Sequence, residues 1–329
     1  MKKNILVTGG AGFIGSNLFA FLVEQYSNST IVNIDALTYA SNYNYIKQYE
    51  KHNNYSFFNI DIRNNSSLEN LFLEYDFDIV IHLAAESHVD NSIDGPIIFA
   101  ETNVMGTLNL LEVCKNFWHN KTGKLFYHIS TDEVYGSLGS SGKFSESTAY
   151  DPRSPYSASK AASDHFVRSY FHTYNLPVII SNCSNNFGPN QHKEKLIPTV
   201  INCILNKVDI PIYGEGKNVR DWLYVKDHVL AIDKIIREGR IGETYNIGGG
   251  YEISNFELVN QIISLCDALL KNPKGYSMRL ISFVADRKGH DFRYSVDFSK
   301  IKEELKWMPS KNLEDNLKKT ILWYINSNR

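Results

Sequence analysis

The stretch Asn4-Ile5-Leu6-Val7-Thr8-Gly9-Gly10-Ala11-Gly12-Phe13-Ile14-Gly15 decides the fold. An apolar run of strand length enters a turn with glycines at 9, 12 and 15. A helix-like stretch, Ser16 to Tyr26, follows, with apolar residues at Leu18, Phe19, Leu22 and Val23. Glycines permit a tight turn and let the backbone approach a pyrophosphate. The helix start that follows offers free N–H groups and a positive dipole end to that anion. Strand before and helix after give the glycine motif its structural context. The spacing differs from the better-known one-then-two glycine fingerprint.

Further strands are expected at Ile31 to Ile34, Ser56 to Ile60, Ile79 to Leu83, Lys124 to Ile129 and Val178 to Ile180, alternating with helical stretches. That alternation predicts an α/β fold: a Rossmann-type doubly wound parallel sheet. Ligands then collect at the carboxyl ends of the strands. Asp35 closes the second strand 20 residues after Gly15. A carboxylate there suits the adenosine ribose hydroxyls and repels a 2′-phosphate, so NAD is expected rather than NADP. Asp61-Ile62 is a candidate adenine contact. After Gly188-Pro189 the pattern becomes irregular, with helices expected at Leu196 to Leu205 and Asn255 to Leu270 and strands at Ile210 to Tyr213 and Met278 to Phe283. The expected organisation is an NAD-binding domain over 1–187 and a smaller mixed α/β substrate-binding domain over 188–329. The two are interleaved, with segments around 220–248 returning to the first.

The chain has 329 residues, enough for a large core in one or two domains. A formal net charge of −2 argues against nucleic-acid binding. No apolar run is expected to approach the roughly 20 residues of a membrane span, and no signal peptide is visible. Cys114, Cys183, Cys203 and Cys266 are scattered without metal-ligand spacing. They suit reduced thiols in a cytoplasmic protein, and no metal is expected.

The chemistry is expected at two places. Tyr156 and Lys160 lie four apart behind Pro155, on one face of a helix. An ammonium beside a phenol lowers its pKa and makes Tyr156 a usable base. Lys160 can also bond the nicotinamide ribose. Upstream, Thr131-Asp132-Glu133 ends the fifth strand at the ligand edge. Two adjacent carboxylates in a dry crevice can hold different protonation states, one acid and one base. A plain dehydrogenase needs no such pair. Oxidation followed by elimination of water does. The plain alternatives are a solvated loop pair and a surface Tyr–Lys pair.

Longer motifs carry a resemblance covering Gly9 to about Tyr294. They are Leu83-Ala-Ala-Glu-Ser-His-Val-Asp90, Ser130-Thr-Asp-Glu-Val-Tyr-Gly136, Tyr156-Ser-Ala-Ser-Lys160, Ser184-Asn-Asn-Phe-Gly-Pro189, Glu194-Lys-Leu-Ile-Pro198, Arg220-Asp-Trp-Leu-Tyr-Val225 and Asp286-Arg-Lys-Gly-His290. In these the chain resembles the nucleoside-diphosphate-glucose 4,6-dehydratases of the extended short-chain dehydrogenase/reductases, in particular those of the rhamnose pathway acting on dTDP-glucose. The resemblance implies Tyr156 as the base at the 4-hydroxyl, Glu133 as the base at carbon 5, Asp132 as the acid at the carbon 6 hydroxyl, and Thr131 bonding the 4-oxygen.

It implies an NAD site of Phe13, Ile14, Asp35, Asp61, Ile62, Leu83, Ala85, Thr102 and Asn186, besides Gly9, Gly12, Gly15, Tyr156 and Lys160. It implies a sugar-nucleotide site of Ser87, Thr131, Asn185, Lys195, Leu196, Tyr213, Arg220, Asn255, Arg287 and His290. Arg220 is a natural diphosphate clamp, and Tyr213 could stack on a base. Lys193 and Lys288, where proline is usual, and Phe292, where arginine is usual, depart from the pattern. They leave the base preference, thymine or uracil, open. A UDP-sugar 4-epimerase on the same fold needs no acid–base pair, and a non-catalytic NAD-binding protein would need none of these groups. The resemblance also implies a homodimer. Apolar residues beyond one core stripe on Ile97 to Phe117 and Pro155 to Tyr174 agree with that.

Overall fold

A computed structural model describes residues 2–286 and 289–327. Its strands in chain order are β1 Asn4–Thr8, β2 Thr30–Asp35, β3 Tyr55–Asn59, β4 Ile79–His82, β5 Leu125–Thr131 and β6 Val178–Cys183. They continue with β7 Asn185–Phe187, β8 Ile210–Tyr213, β9 Val219–Tyr224, β10 Thr244–Ile247, β11 Glu252–Ser254 and β12 Ile281–Val284. Seven of them form one sheet in the order β10-β6-β5-β4-β1-β2-β3. Every pairing in it is parallel. The expected doubly wound parallel sheet is present.

The pleat explains the apolar runs. Successive side chains point to opposite faces, so a strand covered on both faces is apolar throughout. Along β1, Ile5 and Val7 enter one core with Leu18, Phe19 and Leu22 of the helix Phe13–Gln25 and with Ile232 and Ile235 of the helix Val225–Glu238. Leu6 enters the opposite core with Leu68 and Phe72 of the helix Asn65–Tyr75, and with Leu110, Cys114 and Val167. A third core joins β8 and β9 to the helices Leu196–Asn206, Asn255–Leu269 and Leu313–Ser327. It is flanked by the three-stranded sheet β11-β9-β7 and the parallel pair β12-β8.

One expectation needs correction. The strand placed at Met278 to Phe283 begins only at Ile281, because Tyr276–Leu280 forms a tight helical turn led by Gly275 at φ +75°. In addition, the helical stretch Pro96–Trp118 is long and apolar enough by composition to cross a bilayer, although 44% of its most apolar window is buried inside the fold. Its apolar excess reflects packing. Leu110, Leu111 and Val113 face the core, while Ile97 and Met105 face outward. The stretch contains a single π turn, Ala100–Met105, a local irregularity often found beside functional sites.

Histidines buried inside the fold stay neutral. Burial holds His82 well below the usual 6.5, His128 at about 4 and His228 at about 3. Between those values and 6.5 the unfolded chain binds protons that the fold refuses. The stability contribution is therefore full above about 6.5 and is lost as pH falls. The thermal midpoint should fall steadily from pH 6.5 toward pH 4, and His228→Asn should flatten that slope while lowering the midpoint at pH 8. An unchanged slope in the variant would show that His228 carries no such linkage.

Candidate active site

The carboxyl ends of β1, β2, β4, β5 and β6 open onto a cleft of about 530 Å³. Its floor is the glycine turn. Gly9 has φ +73°, and a Cβ there would lie 2.7 Å from the Ala84 nitrogen. A Cβ on Gly15 would lie 2.1 Å from the Gly9 carbonyl oxygen, so the helix can approach the strand only without it. Gly12 differs. A Cβ there meets only the Gly9 oxygen, at 3.3 Å, and would otherwise stand in the cleft. The helix that starts at Phe13 carries no side-chain cap. These features fit a pyrophosphate. Asp35 accepts from the Ala11 N–H (2.9 Å), the Leu37 N–H (2.8 Å) and the Ser41 hydroxyl (2.7 Å), which fixes its carboxylate at the cleft wall.

Of the expected cofactor residues, Gly9, Gly12, Phe13, Ile14, Gly15 and Asp35 line this cleft. So do Asp61, Ile62, Leu83, Ala85, Thr102 and Asn186. Asp61 is already engaged. Arg63 bonds its carboxylate through Nε and Nη2 and holds it below the usual carboxylate range. The Asn186 amide is likewise committed inward, with Oδ1 2.9 Å from His228 Nδ1 and Nδ2 donating to the Ser184 carbonyl.

Thr131, Asp132, Glu133, Tyr156 and Lys160 converge on the same cleft. β5 delivers the triplet, and the helix Pro155–Tyr174 delivers the pair. Pro155 starts that helix behind a reciprocal Ser154–Ser157 cap, which fixes where Tyr156 falls. The Thr131 hydroxyl accepts from the Glu133 N–H at 3.3 Å and lies 3.4 Å from Asp132 Oδ1. Asp132 Oδ2 is buried without a hydrogen-bond partner. Burial, then the nearby charges of Glu133 and Asp221, push the Asp132 carboxyl well above its usual range, while Arg220 opposes them. The surroundings of Asp132 thus favour its protonated form.

The phenol departs from expectation. Burial and the Glu133 charge push Tyr156 up rather than down. The Lys160 ammonium is turned to the Ile129 carbonyl, 2.9 Å away.

The expected sugar-nucleotide residues fall in two places. Ser87, Asn185 and Lys195 line the cleft, where Lys195 Nζ donates to the Ser87 carbonyl at 3.1 Å. Leu196, Tyr213, Arg220, Asn255 and His290 are not in its lining. Leu196 packs against the third core. Tyr213 is exposed and meets His290 edge-on at 6.4 Å. Asn255 opens the helix Asn255–Leu269. Arg220 is 7% exposed, lies 4.4 Å over the Tyr294 ring and donates to the Val219, Asp291 and Phe292 carbonyls. It holds the Asp291–Tyr294 segment, and Glu133 and Asp132 act on it through their charge. Arg287 and Lys288 lie outside the described residues. Lys193 and Phe292 are exposed and away from the cleft lining.

The sequence reading passed over three groups. Glu194 lines the cleft with Oε2 3.3 Å from His192 Nδ1 and 3.8 Å from His88 Nε2; its place beside Lys195 was the available signal. Asn103, on the π turn, bonds both the N–H and the carbonyl of Glu86 and also Ser159, tying the β4 loop to the Tyr156 helix. A polar residue on a buried helix face was its only trace. Cys183 lies buried at the cleft wall, and burial pushes its thiol up to about 12.

A glycine turn on a parallel sheet, with a tyrosine–lysine pair in the same cleft, is the arrangement of an extended short-chain dehydrogenase/reductase. Residues 6–320 match the family described as GDP-mannose 4,6 dehydratase. A probable dTDP-glucose 4,6-dehydratase of Sinorhizobium fredii is 51% identical over 326 residues, covering 98% of this chain and 92% of the relative. The dTDP-glucose 4,6-dehydratase of Haemophilus influenzae is 49% identical, covering 98% of each. The crystal structure of a dTDP-glucose 4,6-dehydratase from Streptomyces venezuelae with NAD bound superposes with a TM-score of 0.91 at 41% identity, over 99% of this chain and 98% of that one. The chain belongs to the GDP-mannose 4,6 dehydratase family, among its dTDP-glucose 4,6-dehydratases.

The raised Asp132 carboxyl has a consequence for stability. Above the usual 3.8 the fold holds a proton that the unfolded chain has released, so this contribution is present at acid pH and lost as pH rises. Asp132→Asn should therefore raise the thermal midpoint at pH 8 and leave it little changed near pH 4. A lower midpoint at pH 8 would mean that Asp132 is ionised in the fold.

Proposed function

We propose that this chain is an NAD-dependent lyase that converts dTDP-glucose to dTDP-4-keto-6-deoxyglucose. The observation that carries the reading is the buried Asp132 carboxyl, pushed well above its usual range, beside Glu133 in the cleft that also holds Tyr156 and Lys160. Bound NAD supplies the oxidant for carbon 4 and, once reduced, the hydride returned to carbon 6. Tyr156 takes the proton of the 4-hydroxyl, and Thr131 bonds the 4-oxygen. The 4-keto group acidifies carbon 5, whose proton Glu133 removes. Asp132 gives its proton to the departing carbon 6 hydroxyl, which leaves as water. Glu133 then returns a proton to carbon 5. Arg220 and Tyr213 serve the nucleotide end, and Ser87, Asn185 and Lys195 the sugar end.

The acidic pair separates this reading from an epimerase on the same fold, which needs only the oxidation and its reversal. The relatives named dTDP-glucose 4,6-dehydratase favour thymine as the base. The third core supports a boundary near 187, with β10 returning to the main sheet. Free cysteines, three of them buried, suit a reducing cytoplasm. Exposed Ile97, Ile98 and Met105 on one helical stretch and Phe166 and Tyr174 on the next support a homodimer through those helices. Light scattering on the eluting protein should give twice the chain mass at micromolar concentration, and a monomer would remove the dimer.

The purified protein should convert dTDP-glucose, in preference to UDP-glucose, to a product lighter by one water. Recovery of an epimer without loss of water would move the reading to an epimerase. Glu133→Gln should oxidise carbon 4 and stop, so reduced nicotinamide accumulates on the protein. Full turnover in that variant would remove Glu133 as the base. Tyr156→Phe should slow both steps by about 10²- to 10⁴-fold.

A further inference from the structure

Beneath the tyrosine–lysine pair lies a second buried carboxylate that the reaction does not touch. Asp164 is one helical turn after Lys160 and 0% exposed. An ionised carboxylate in such a place is costly unless several groups compensate it. Here they do. Its Oδ2 accepts from the Ser130 hydroxyl and the Tyr150 hydroxyl, each at 2.9 Å. Its Oδ1 faces His128 Nε2 at 3.2 Å. Arg168 backs the arrangement, donating to the Tyr150 oxygen at 3.0 Å with its guanidinium 5.0 Å from that ring's centre. His128 is neutral and pairs with a second neutral histidine, His82, at a ring separation of 5.1 Å. The anion below the lysine is therefore Asp164, with the Arg168 cation at Tyr150 offsetting part of its charge.

We propose that Asp164 is a positioning residue that holds Lys160 in its ammonium form on the helix face it shares with Tyr156. The inference rests on the reading of Tyr156 as the base. The pair is useful only as phenolate beside ammonium; the alternative, phenol beside neutral amine, has the same total charge and no base. A negative charge under the lysine favours the first form, provided it acts on the lysine more than on the phenol. The placement meets that condition. On the helix Pro155–Tyr174, Asp164 lies one turn from Lys160 and two turns from Tyr156, and the carboxylate that bears on the phenol is Glu133. Burial pulls the ammonium down, and Asp164 opposes it. Lys160 is anchored to the Ile129 carbonyl, next to Ser130, so one strand end holds both the cation and the donor to its counter-ion. The remaining titratable neighbour is Tyr135, which the Asp164 charge raises and which bonds Asn246.

Asp164→Asn keeps the shape and removes the charge. In the NAD-bound protein without sugar, the Tyr156 phenolate is read as the ultraviolet difference between a protein and the same protein carrying Tyr156→Phe. Asp164→Asn should reduce that signal by about tenfold or more, the factor for each pK unit of lost bias. Turnover should fall with it at unchanged KM, and its alkaline limb should move to lower pH because Lys160 gives up its proton sooner. Tyr150→Phe, which removes one donor from Asp164, should shift both readouts the same way by less. This variant keeps the test open if Asp164→Asn fails to fold. In a Lys160→Met background, Asp164→Asn should cost nothing further. An undiminished phenolate signal and an unmoved alkaline limb, or losses that multiply in the double variant, would overturn the inference. If the native protein turns over neither sugar nucleotide, the dehydratase reading fails, while the phenolate titration still decides the role of Asp164.

Discussion

The contact between Gly15 and the Gly9 carbonyl is the constraint on which the rest of the molecule depends. With a Cβ at 15 that separation would be 2.1 Å. The helix Phe13–Gln25 would have to back away from β1, and Leu18, Phe19 and Leu22 would leave the core shared with Ile5 and Val7. Its uncapped start would also withdraw from the cleft. One missing methyl group thus permits both the core on that face and the pyrophosphate seat. The same β1 fixes β2 and β4 in register, which carry Asp35 and the Leu83–Ser87 loop to the cleft rim.

Burial then sets the chemistry, and two aspartates show that burial alone does not choose a charge state. Asp132 and Asp164 are both fully enclosed. Asp132 has a single long contact with Thr131, an orphaned oxygen and carboxylate neighbours, and burial with those neighbours pushes its carboxyl well above the usual range. Asp164 has two hydroxyl donors, a facing imidazole and a lysine one turn away, and it stays ionised, below the usual carboxylate range. Each leaves one oxygen without a hydrogen-bond partner, so the difference lies in the two hydroxyls on the other Asp164 oxygen and in the charges nearby. β5 presents both environments within a few residues, since Ser130 serves Asp164 and Thr131 serves Asp132.

The sheet was legible because its evidence is repeated: every central strand is an apolar run of the right length, and glycines and proline punctuate the ends. The convergence of Thr131, Asp132, Glu133, Tyr156 and Lys160 on one cleft was legible because each sits at a strand end or near a capped helix start, where sequence position implies spatial position. What was not legible depends on contacts across the sequence. No local pattern shows that Asn186 spends its amide on His228, or that Asp61 is held by Arg63. The direction of the Tyr156 shift was also hidden. Spacing places an ammonium near a phenol, but not the depth at which desolvation outweighs it. The turn at Tyr276–Leu280 escaped because its apolar residues satisfy a strand pattern equally well, and only Gly275 in a left-handed conformation breaks it.

Arg220 shows how far a residue's type can be read and where its placement must be seen. Its fork suits a diphosphate, yet it lies folded onto Tyr294 and backbone carbonyls with little surface left. From there its charge still reaches Asp132 and Glu133, and it is the cation that opposes the rise of the Asp132 carboxyl. A guanidinium cannot shed its proton at accessible pH, so this influence is set by distance alone. The strand β9 that carries Arg220 pairs with β7, which carries Asn185 and Asn186 to the cleft. Arg220, Asn185 and Asn186 are therefore held on one ladder, separate from the β5 end that carries Asp132, and a displacement of Arg220 changes the field at that carboxyl.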